Sequence, residues 1–299
     1  MDSVVMLTEF AAAKINLALH VTGRRPDGYH LLDSLVAFGR FGDRIVVSPS
    51  SEDSFAVDGP FAPSVPLDAS NLVLKARDAL RTAHSPGMAQ PVSIRLTKNL
   101  PVASGVGGGS SDAAATLRAL NQLWGAGLGP SELAAIGLSL GADVPMCLSS
   151  AALVARGVGD EVSPLAAFPS LGIVLVNPNV PVSTPAVFAA LQSRDNAPMP
   201  PLPASIDFHS LRNWLDLTRN DLEPAAIRIA PAIGHAISAL NRAGSGFTRM
   251  SGSGATCFGL YETGNVAKRA AAAIRACNPD WFVAATRTIA SGPQAHEQD

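Results

Sequence analysis

The chain has 299 residues, of which 47% are hydrophobic and 15% charged, and its formal net charge at pH 7 is −2. This length allows one large or two moderate domains with a substantial core, and the nearly neutral charge argues against nucleic acid as a partner. Three widely spaced cysteines argue against a disulfide framework or a cysteine-rich metal site and favour a reducing, cytoplasmic setting. We expect neither a signal peptide nor a membrane span, because no basic leader with an apolar core and no run of about 20 apolar residues occurs.

The N-terminal third mixes predicted strands with one predicted helix. Short apolar runs broken by glycine and proline predict strands at Ile15–Val21 and Ile45–Val47. The alternating pattern of Val92–Leu96 predicts another strand, and apolar residues at helical spacing within Asn71–Thr82 predict a helix. This mixture favours an α+β or mixed α/β fold.

A glycine cluster leads directly into the next predicted helix, in the run PVASGVGGGSSDAAAT at residues 101–116. Glycine has no Cβ atom, so the backbone here can turn tightly and approach a ligand closely. Ser110, Ser111 and Asp112 are favoured at helix starts, and apolar residues follow at helical spacing as far as Trp124. Because the first N–H groups of a helix are unpaired and partly positive, we predict a phosphate-binding loop. The alternative is a flexible loop before an ordinary core helix.

The predicted phosphate loop lies outside the commonest nucleotide-binding classes. The chain has no G-x-x-x-x-G-K-[ST] run, and no G-x-G-x-x-G fits this loop. It also lacks the H-R-D and D-F-G motifs of protein kinases. These absences exclude a Walker A loop, a Rossmann fingerprint and a protein kinase.

The segment after the glycine helix carries a candidate general base. A short helix is predicted at Ser131–Leu140, between Pro130 and Gly141. Asp143 follows in a Gly-Ala-Asp-Val-Pro turn, and Val144, which precedes a proline, is expected to be extended. An aspartate that merely bonds its own turn backbone is the equally common alternative.

The second half of the chain is predicted to contain further strands and helices, with no internal repeat. The proline-rich run Asn196–Ala204 cannot form a regular helix or a central strand, so we predict a surface connection. The other predictions are a strand at Leu171–Val176, helices at Asp221–Arg228, Pro231–Arg242 and Val266–Cys277, a strand–turn–strand at Phe247–Leu260, a strand at Trp281–Thr288 and a frayed tail at Ser291–Asp299.

Three separated segments, in this order, resemble the motifs of the GHMP small-molecule kinases: AKINL at residues 13–17, the glycine loop, and MSGSGA at residues 250–255. Two more segments, GRRPDGYH at residues 23–30 and LSLGADVP at residues 138–145, narrow the resemblance. They are similar to the branch of that family that acts on a cytidine diphosphate-linked methylerythritol in the non-mevalonate route to isoprenoids. The resemblance extends from about Ala11 to about Tyr261.

This resemblance implies an α+β, two-domain GHMP kinase fold with the active site in the interdomain cleft. The N-terminal domain, residues 1–160, would carry the ATP loop, the catalytic residues and cytidine recognition, and residues 161–299 would form the C-terminal domain. The implied activity is ATP-dependent phosphorylation of the substrate's 2-hydroxyl group. Mg²⁺ would accompany ATP, held mainly by the phosphates, and no metal ligand is assigned. We expect a monomer or weak homodimer with a small-molecule substrate, no nucleic acid and no membrane.

The resemblance implies that two residues carry the chemistry. Asp143 would be the general base, and Lys14 would lie beside it and favour the ionised carboxylate. From the residues alone, Lys14 could instead be an edge-strand lysine that faces solvent. Asn16 shares the strand face of Lys14 and is expected to hydrogen-bond the substrate, unless it is an isolated polar residue on a strand.

Four residues are implied in substrate recognition. Tyr29 would stack on the cytosine and His30 would read its hydrogen-bonding edge. Phe188 would be a second stacking aromatic, and Thr184 would contact the substrate. From the residues alone, a core tyrosine and an ordinary surface histidine are the alternative. Val36 stands where some relatives have a bulkier aromatic, which bears on the shape of the erythritol pocket.

The remaining implied residues bind ATP. Asn71 and Lys98 would flank the adenine, although Lys98 could also be an exposed lysine at a strand end. Gly252 and Ser253 would add a second set of backbone N–H groups, in what could otherwise be a plain hairpin turn. The loop residues assigned to the phosphates are Pro101, Ser104, Gly105, Gly107, Gly108, Gly109, Ser110 and Ser111.

Two other functions stay open. Another GHMP kinase, acting on a sugar, homoserine or a mevalonate-type alcohol, would have no cytosine to read and would not need Tyr29 and His30. A non-catalytic nucleotide sensor on the same fold could lose Lys14 or Asp143 and still bind ATP, so the presence of both residues argues against a sensor.

Overall fold

The computed structural model describes residues 5–84 and 89–292. The chain divides into two compact units. Unit 1 comprises the chain up to Ala13, Gly42–Val102 and Gly107–Ser149, and unit 2 comprises Lys14–Phe41, Ala103–Val106 and the chain from Ser150 onward. Two long strands, β1 (Leu7–Arg24) and β2 (His30–Pro49), contribute residues to both units. The domain boundary at residue 160 stays a prediction.

Unit 1 combines paired strands with helices. β3 (Ser54–Asp58) runs parallel to β4 (Val92–Thr97), and β4 is antiparallel to residues 44–49 of β2. The apolar positions of β4 are buried and Arg95 is exposed, so the strand follows the period-2 pattern of its sequence. The helical elements are a 3₁₀ turn at Ala62–Ser64 and the helices α1 (Leu72–Ala83), α2 (Gly108–Leu123), α3 (Pro130–Leu140) and α4 (Val144–Ser149).

Unit 2 contains two sets of paired strands. β5 (Leu153–Gly157) is antiparallel to residues 32–36 of β2 and to β6 (Glu161–Pro164). A separate antiparallel sheet has the strand order β10–β7–β9–β8. Its strands are β7 (Gly172–Asn177), β8 (Phe247–Met250), β9 (Cys257–Tyr261) and β10 (Phe282–Arg287). The helices are α5 (Thr184–Ala189), α6 (Phe208–Asp216), α7 (Glu223–Ile229), α8 (Ala232–Arg242) and α9 (Gly264–Cys277).

Apolar periodicity explains how these elements pack. Helix α9 buries one stripe of small and apolar residues in the core of unit 2, and its charged residues lie among alanines on the exposed face. The buried residues of the stripe are Ala267, Ala270, Ala271 and Ile274. The strands and helices predicted from such patterns are confirmed, and the proline-rich run Asn196–Ala204 contains no helix or strand, as predicted.

Two local predictions are wrong. Val144 is not extended but begins α4, because a proline at the second position of a helix removes only an N–H that would have no partner within the helix. Ser291 does not begin a frayed tail, since it pairs with Phe168. The predicted tail beyond Gly292 lies outside the described residues.

Helices α5 and α6 were not predicted from the sequence. Both are short, and α6 begins with a reciprocal cap: Ser210 N donates to Asp207 Oδ1 and Asp207 N donates to Ser210 Oγ. This start signal was overlooked because a serine stands where a capping box usually has Glu or Gln.

Candidate active site

Three segments that are far apart in the sequence are hydrogen-bonded to one another in unit 2. Lys14 N donates to the carbonyl oxygen of Val106 in the glycine loop, at 2.9 Å. Asn16 N donates to Ser251 Oγ at 3.1 Å, and Ser251 Oγ donates to the carbonyl oxygen of Gly105 at 2.8 Å. The AKINL strand, the glycine loop and the MSGSGA turn are therefore brought together by the fold.

Glycine is required where the loop meets the turn. Gly105 has a φ of +80°, in the left-handed region that residues with a side chain rarely adopt. A Cβ atom at this position would lie 2.4 Å from the carbonyl oxygen of Ser251. The two backbones can approach this closely only because no side chain stands between them.

The MSGSGA turn is a hairpin turn that side chains of unit 2 hold in place. It joins β8 to β9, so the predicted strand–turn–strand is confirmed. Asn220 Nδ2 donates to the carbonyl oxygens of Met250 and Gly252, each at 2.8 Å. Met250 N donates to Glu223 Oε2 at 2.7 Å. Sequence analysis missed Asn220 and Glu223, although the three polar residues of NDLE at residues 220–223, at the start of a predicted helix, are a signal that could have found them.

The start of α2, in unit 1, presents the donors expected of a phosphate-binding helix. Gly107 is the N-cap with a left-handed φ of +62°, and Ser111 N donates to its carbonyl oxygen at 2.8 Å. The N–H groups of Gly108, Gly109 and Ser110 precede this bond and have no acceptor within the helix. The 16-residue helix adds the positive end of its dipole at the same place.

The two serines of the loop have different surroundings. Ser111 is buried, and its hydroxyl donates to the carbonyl oxygen of Ala12 on β1 at 2.7 Å, with Cys147 Sγ 3.4 Å away. Ser110 is only half-buried. Ser110 is therefore the better placed of the two for contact with a phosphate.

Lys98, Asp43 and Asp112 form a buried ionic cluster beside the first turn of α2. Lys98 Nζ lies 2.6 Å from Asp43 Oδ2 and 2.5 Å from Asp112 Oδ2, and each residue is at most 3% exposed. A Cβ atom on Gly108 would lie 3.0 Å from Lys98 Nζ. The interpretation of Lys98 as an exposed strand-end lysine is therefore wrong.

The cluster holds two carboxylates for one ammonium group. Burial raises the pKa of Asp112 to about 8. Lys98 lowers this pKa and the neighbouring Asp43 carboxylate raises it, but burial has the largest effect. Asp43 also accepts from the backbone N–H groups of Asn99, at 2.6 Å, and Leu100, at 2.8 Å. The cluster thereby fixes the chain between β4 and the glycine loop as well as the first turn of α2.

The two residues implied in catalysis belong to different units, Lys14 to unit 2 and Asp143 to unit 1. Lys14 is 4% exposed, so its interpretation as an edge lysine facing solvent is wrong. Asp143 is half-buried and immediately precedes α4, in a turn closed by the bond from Val144 N to Gly141 O at 3.0 Å. Their roles in catalysis stay predictions.

Asn16 offers an unused acceptor beside the MSGSGA turn. Its Nδ2 donates to Ser34 Oγ at 2.8 Å, which fixes the orientation of the amide. Its Oδ1 is buried and has no hydrogen-bond partner among the described residues, and a Cβ atom on Gly252 would lie 3.5 Å from it. A buried acceptor of this kind is costly unless a ligand pairs with it. Ser34 was missed because a serine within a strand belongs to no motif.

The residues implied in cytosine recognition lie in unit 2, and two of them touch. The rings of His30 and Phe188 stack, with centroids 4.7 Å apart and an interplanar angle of 25°. Tyr29 is 63% exposed, so its interpretation as a core tyrosine is wrong. Burial lowers the pKa of His30, with further lowering by Arg24 and Arg194, which favours the neutral imidazole at pH 7. His30 Nε2 has no hydrogen-bond partner within the described part of the chain.

Two other implied residues have definite structural partners. Thr184 Oγ1 lies 2.7 Å from Ser253 Oγ, so a hydrogen bond between two hydroxyl groups links α5 to the MSGSGA turn. Asn71 is the N-cap of α1: its Oδ1 accepts from Val73 N at 2.9 Å, and its Nδ2 donates to Pro66 O at 2.7 Å. The role of Asn71 beside an adenine stays a prediction.

Residues 5–84 and 89–292 contain neither a metal-binding cluster nor a membrane-spanning helix. No group of three or more His, Cys, Asp and Glu side chains in these ranges is placed to hold a metal ion. No helix within them is long and apolar enough to cross a membrane.

Comparison with known proteins places the chain among characterised families. A family model described as "GHMP kinases N terminal domain" matches residues 71–151, and one described as "GHMP kinases C terminal" matches residues 202–280. A 4-diphosphocytidyl-2-C-methyl-D-erythritol kinase of Mesorhizobium japonicum is 69% identical over 284 residues, which cover 95% of this chain and 96% of that protein.

Solved structures agree with this result. A crystal structure of 4-(cytidine 5'-diphospho)-2C-methyl-D-erythritol kinase matches with a TM-score of 0.78 and 36% identity, over 94% of this chain and 99% of that one. A homoserine kinase from Cytophaga hutchinsonii, 19% identical with a TM-score of 0.68 over 96% of each chain, shares the fold. The chain therefore belongs to the GHMP kinases and, within them, to the family of the 4-diphosphocytidyl-2-C-methyl-D-erythritol kinases. The predicted α+β, two-domain GHMP kinase fold is confirmed.

Proposed function

We propose that the protein transfers the γ-phosphoryl group of ATP to the 2-hydroxyl group of 4-diphosphocytidyl-2-C-methyl-D-erythritol, a step in isoprenoid precursor biosynthesis. The main support for this proposal is that hydrogen bonds link the AKINL strand, the glycine loop and the MSGSGA turn in unit 2. These bonds involve Lys14, Asn16, Gly105 and Ser251. A sensor or binding module would not need a strand lysine, a phosphate loop and a glycine-serine turn to be fixed next to one another. The names of the family's members point to the same substrate.

Phosphoryl transfer requires positioning, neutralisation of charge and an acceptor for the hydroxyl proton. Asp143 takes the proton from the 2-hydroxyl group as its oxygen attacks the γ-phosphorus atom of ATP. The bond from that phosphorus atom to the bridging oxygen breaks, and ADP leaves. Lys14 stabilises the negative charge at the acceptor oxygen.

The nucleotide end of the substrate is recognised in unit 2. Tyr29 and Phe188 supply stacking faces for the cytosine, and the neutral His30 offers Nε2 to its hydrogen-bonding edge. Asn16 Oδ1 accepts a hydrogen bond from the substrate, and Thr184 contacts it from α5. Asn16 Oδ1 and His30 Nε2 support these assignments, since both are buried and neither has a hydrogen-bond partner among residues 5–84 and 89–292.

ATP is held mainly by backbone donors. The N–H groups of Gly108 to Ser110 face the phosphates, and Gly252 and Ser253 add a second set. Lys98 contributes to this site indirectly, by fixing the first turn of α2. Its ammonium group is already paired with Asp43 and Asp112. Mg²⁺ would be held mainly by the phosphate oxygens of ATP and would neutralise part of their charge.

Another GHMP alcohol kinase is the second candidate, since homoserine kinase shares the fold. The stacked His30 and Phe188 rings beside the exposed Tyr29 favour the cytidine substrate. The three scattered cysteines favour a cytoplasmic location. The near-neutral charge favours function without nucleic acid. We expect a monomer or weak homodimer that does not bind a membrane.

Replacement of Tyr29 by Ala tests the cytosine site. Loss of a stacking face costs about 1–3 kcal/mol, or roughly 5- to 150-fold, and we expect this loss in KM for the cytidine substrate. KM for ATP should be nearly unchanged, and Tyr29→Phe, which keeps the ring, should resemble the wild type. Steady-state kinetics with each substrate varied in turn measures both constants. Equal losses for the two substrates, or a Tyr29→Phe enzyme as weak as Tyr29→Ala, would exclude the stacking role.

A further inference from the structure

Arg118 of α2 joins two segments of unit 1 that adjoin the proposed catalytic residues. Its guanidinium group donates to Glu9 Oε2 at 2.8 Å and to the carbonyl oxygen of Phe10 at 3.0 Å, both on β1. On the other side it donates to the carbonyl oxygens of Cys147, at 3.1 Å, and Leu148, at 3.2 Å, both on α4. Four of its five N–H groups are therefore used.

The contacts with α4 matter because this helix is too short to be stable by itself. It has six residues, fewer than an isolated helix needs in water. The last carbonyl groups of a helix have no partner within it, and a cation there is favourable. Arg118 provides both the donors and the positive charge. Asp143 is the residue directly before α4, so the position of this helix determines where its carboxylate starts.

Ser111, two turns before Arg118 on α2, reinforces the same connection. Its hydroxyl donates to the carbonyl oxygen of Ala12, and Cys147 Sγ lies 3.4 Å away. Ala12 stands two residues ahead of Lys14 on β1. The helix that begins at the phosphate loop is thus attached to the strand that leads to Lys14 and to the short helix that follows Asp143.

We propose that Arg118 is a positioning residue for phosphoryl transfer, which holds α4 and the Asp143 carboxylate in register with the phosphate-binding start of α2. This inference rests on the proposed function, in which Asp143 is the base. Its guanidinium group bonds to β1 and α4, so we assign it no contact with either substrate. It acts on the geometry of the reacting groups, for which a misplacement of about 1 Å costs about 100-fold in rate.

A lysine at this position cannot replace the arginine fully. The ammonium group is a single point, whereas the guanidinium fork donates in several directions at once. The ion pair with Glu9 is partly exposed and contributes little by itself. The four backbone and side-chain acceptors together, and not the charge alone, define the role.

The test compares Arg118→Met, Arg118→Lys and a matched control, Arg81→Met. Arg81 also lies in unit 1, pairs with Asp53 through two hydrogen bonds of 2.6 and 2.9 Å, and has a side chain 30% exposed against 23% for Arg118. We measure kcat, KM for ATP, KM for the cytidine substrate and Tm for each variant. Arg118→Met should lower kcat about 10- to 100-fold with both KM values nearly unchanged, and Arg118→Lys should fall between it and the wild type. Arg81→Met should have a lower Tm than the wild type but the same kcat.

Several results would overturn the proposal. They are an unchanged kcat in Arg118→Met, a loss of kcat equal to that of Arg81→Met at the same Tm, or a loss that lies in KM. If Arg118→Met does not fold, a folded Arg118→Lys with full kcat has the same consequence. A wild-type enzyme without turnover of the cytidine substrate would instead overturn the proposed function, together with the inference that rests on it.

Discussion

Replacement of Asp143 by Asn should lower kcat by about 100- to 10,000-fold, the usual contribution of a general base. Asn is nearly isosteric with Asp, so the turn before α4 keeps its shape. It cannot accept the proton of the 2-hydroxyl group, which then has no acceptor as the oxygen attacks the γ-phosphate. ATP affinity should stay nearly unchanged, because the proposed phosphate donors are backbone N–H groups and Asp143 is not among them.

A matched control separates catalysis from a turn effect. Asp160 is an exposed aspartate whose Oδ1 accepts from Val158 N at 3.1 Å within its own turn. Asp160 thus has the purely structural role, bonding its own turn backbone, that was the alternative for Asp143. Asp160→Asn should therefore turn over like the wild type. Single-turnover kinetics and equilibrium ATP binding measure the two effects, and near-normal turnover by Asp143→Asn would show that the base is another group.

Replacement of Lys98 by Met should destabilise the protein by about 3–5 kcal/mol, because it leaves the buried Asp43 carboxylate without a cation. Once the pH passes the Asp112 pKa of about 8, the Asp112 carboxylate also loses its cation. Lys98 Nζ lies within 2.6 Å of Asp43 and within 2.5 Å of Asp112. Methionine fills the same space without the charge. The loss should be measured as the free energy of unfolding in urea.

The pH dependence of this loss has a definite sign. Burial raises the pKa of Asp112 from the 3.8 of an ordinary aspartate to about 8, so the folded state binds this proton more tightly than the unfolded state. The contribution of Asp112 to stability is therefore complete at low pH and declines as the pH rises toward 8. Because Lys98 favours the ionised form, the penalty of Lys98→Met should be larger at pH 9 than at pH 6. Adding Asp112→Asn should recover part of it.

Arg95→Met is the control for this measurement. Arg95 lies on β4, just before Lys98, and its pair with Asp58 is exposed and 3.5 Å long. An exposed pair contributes about 0–1 kcal/mol. A Lys98→Met variant no less stable than Arg95→Met, or one whose loss does not change with pH, would contradict the ionic account of the cluster.

The secondary structure followed from the sequence wherever an element was long and periodic. Helix α1 and strand β4 show apolar spacing over their whole length, and the structure has them within a residue or two of the predicted bounds. α4 could not be found in this way, since it has six residues and a proline in its first turn. The rule that a residue before proline is extended was overridden there by the tolerance of helix starts for proline.

The candidate site could be predicted only as far as its motifs reach. Lys14, Asn16, Gly105 and Ser251 belong to motifs, and the fold brings their segments together. Arg118 belongs to no motif, and its partners on α4 and β1 are about 30 and 110 residues away along the chain.

Lys98 shows the other limit of sequence analysis. A lysine at a strand end is equally compatible with solvent and with a buried pair, because its pattern is the same in both. Only the positions of Asp43 and Asp112, 55 and 14 residues away, decide between them.

The central claim is tested most directly by a coupled assay of ADP release with ATP, Mg²⁺ and 4-diphosphocytidyl-2-C-methyl-D-erythritol. Galactose, homoserine and mevalonate serve as parallel acceptors under the same conditions. We expect turnover of the cytidine substrate and none of the other three. Turnover of another alcohol alone would keep the fold and the phosphoryl chemistry but contradict the cytosine site, and ATP binding without turnover of any acceptor would contradict the kinase itself.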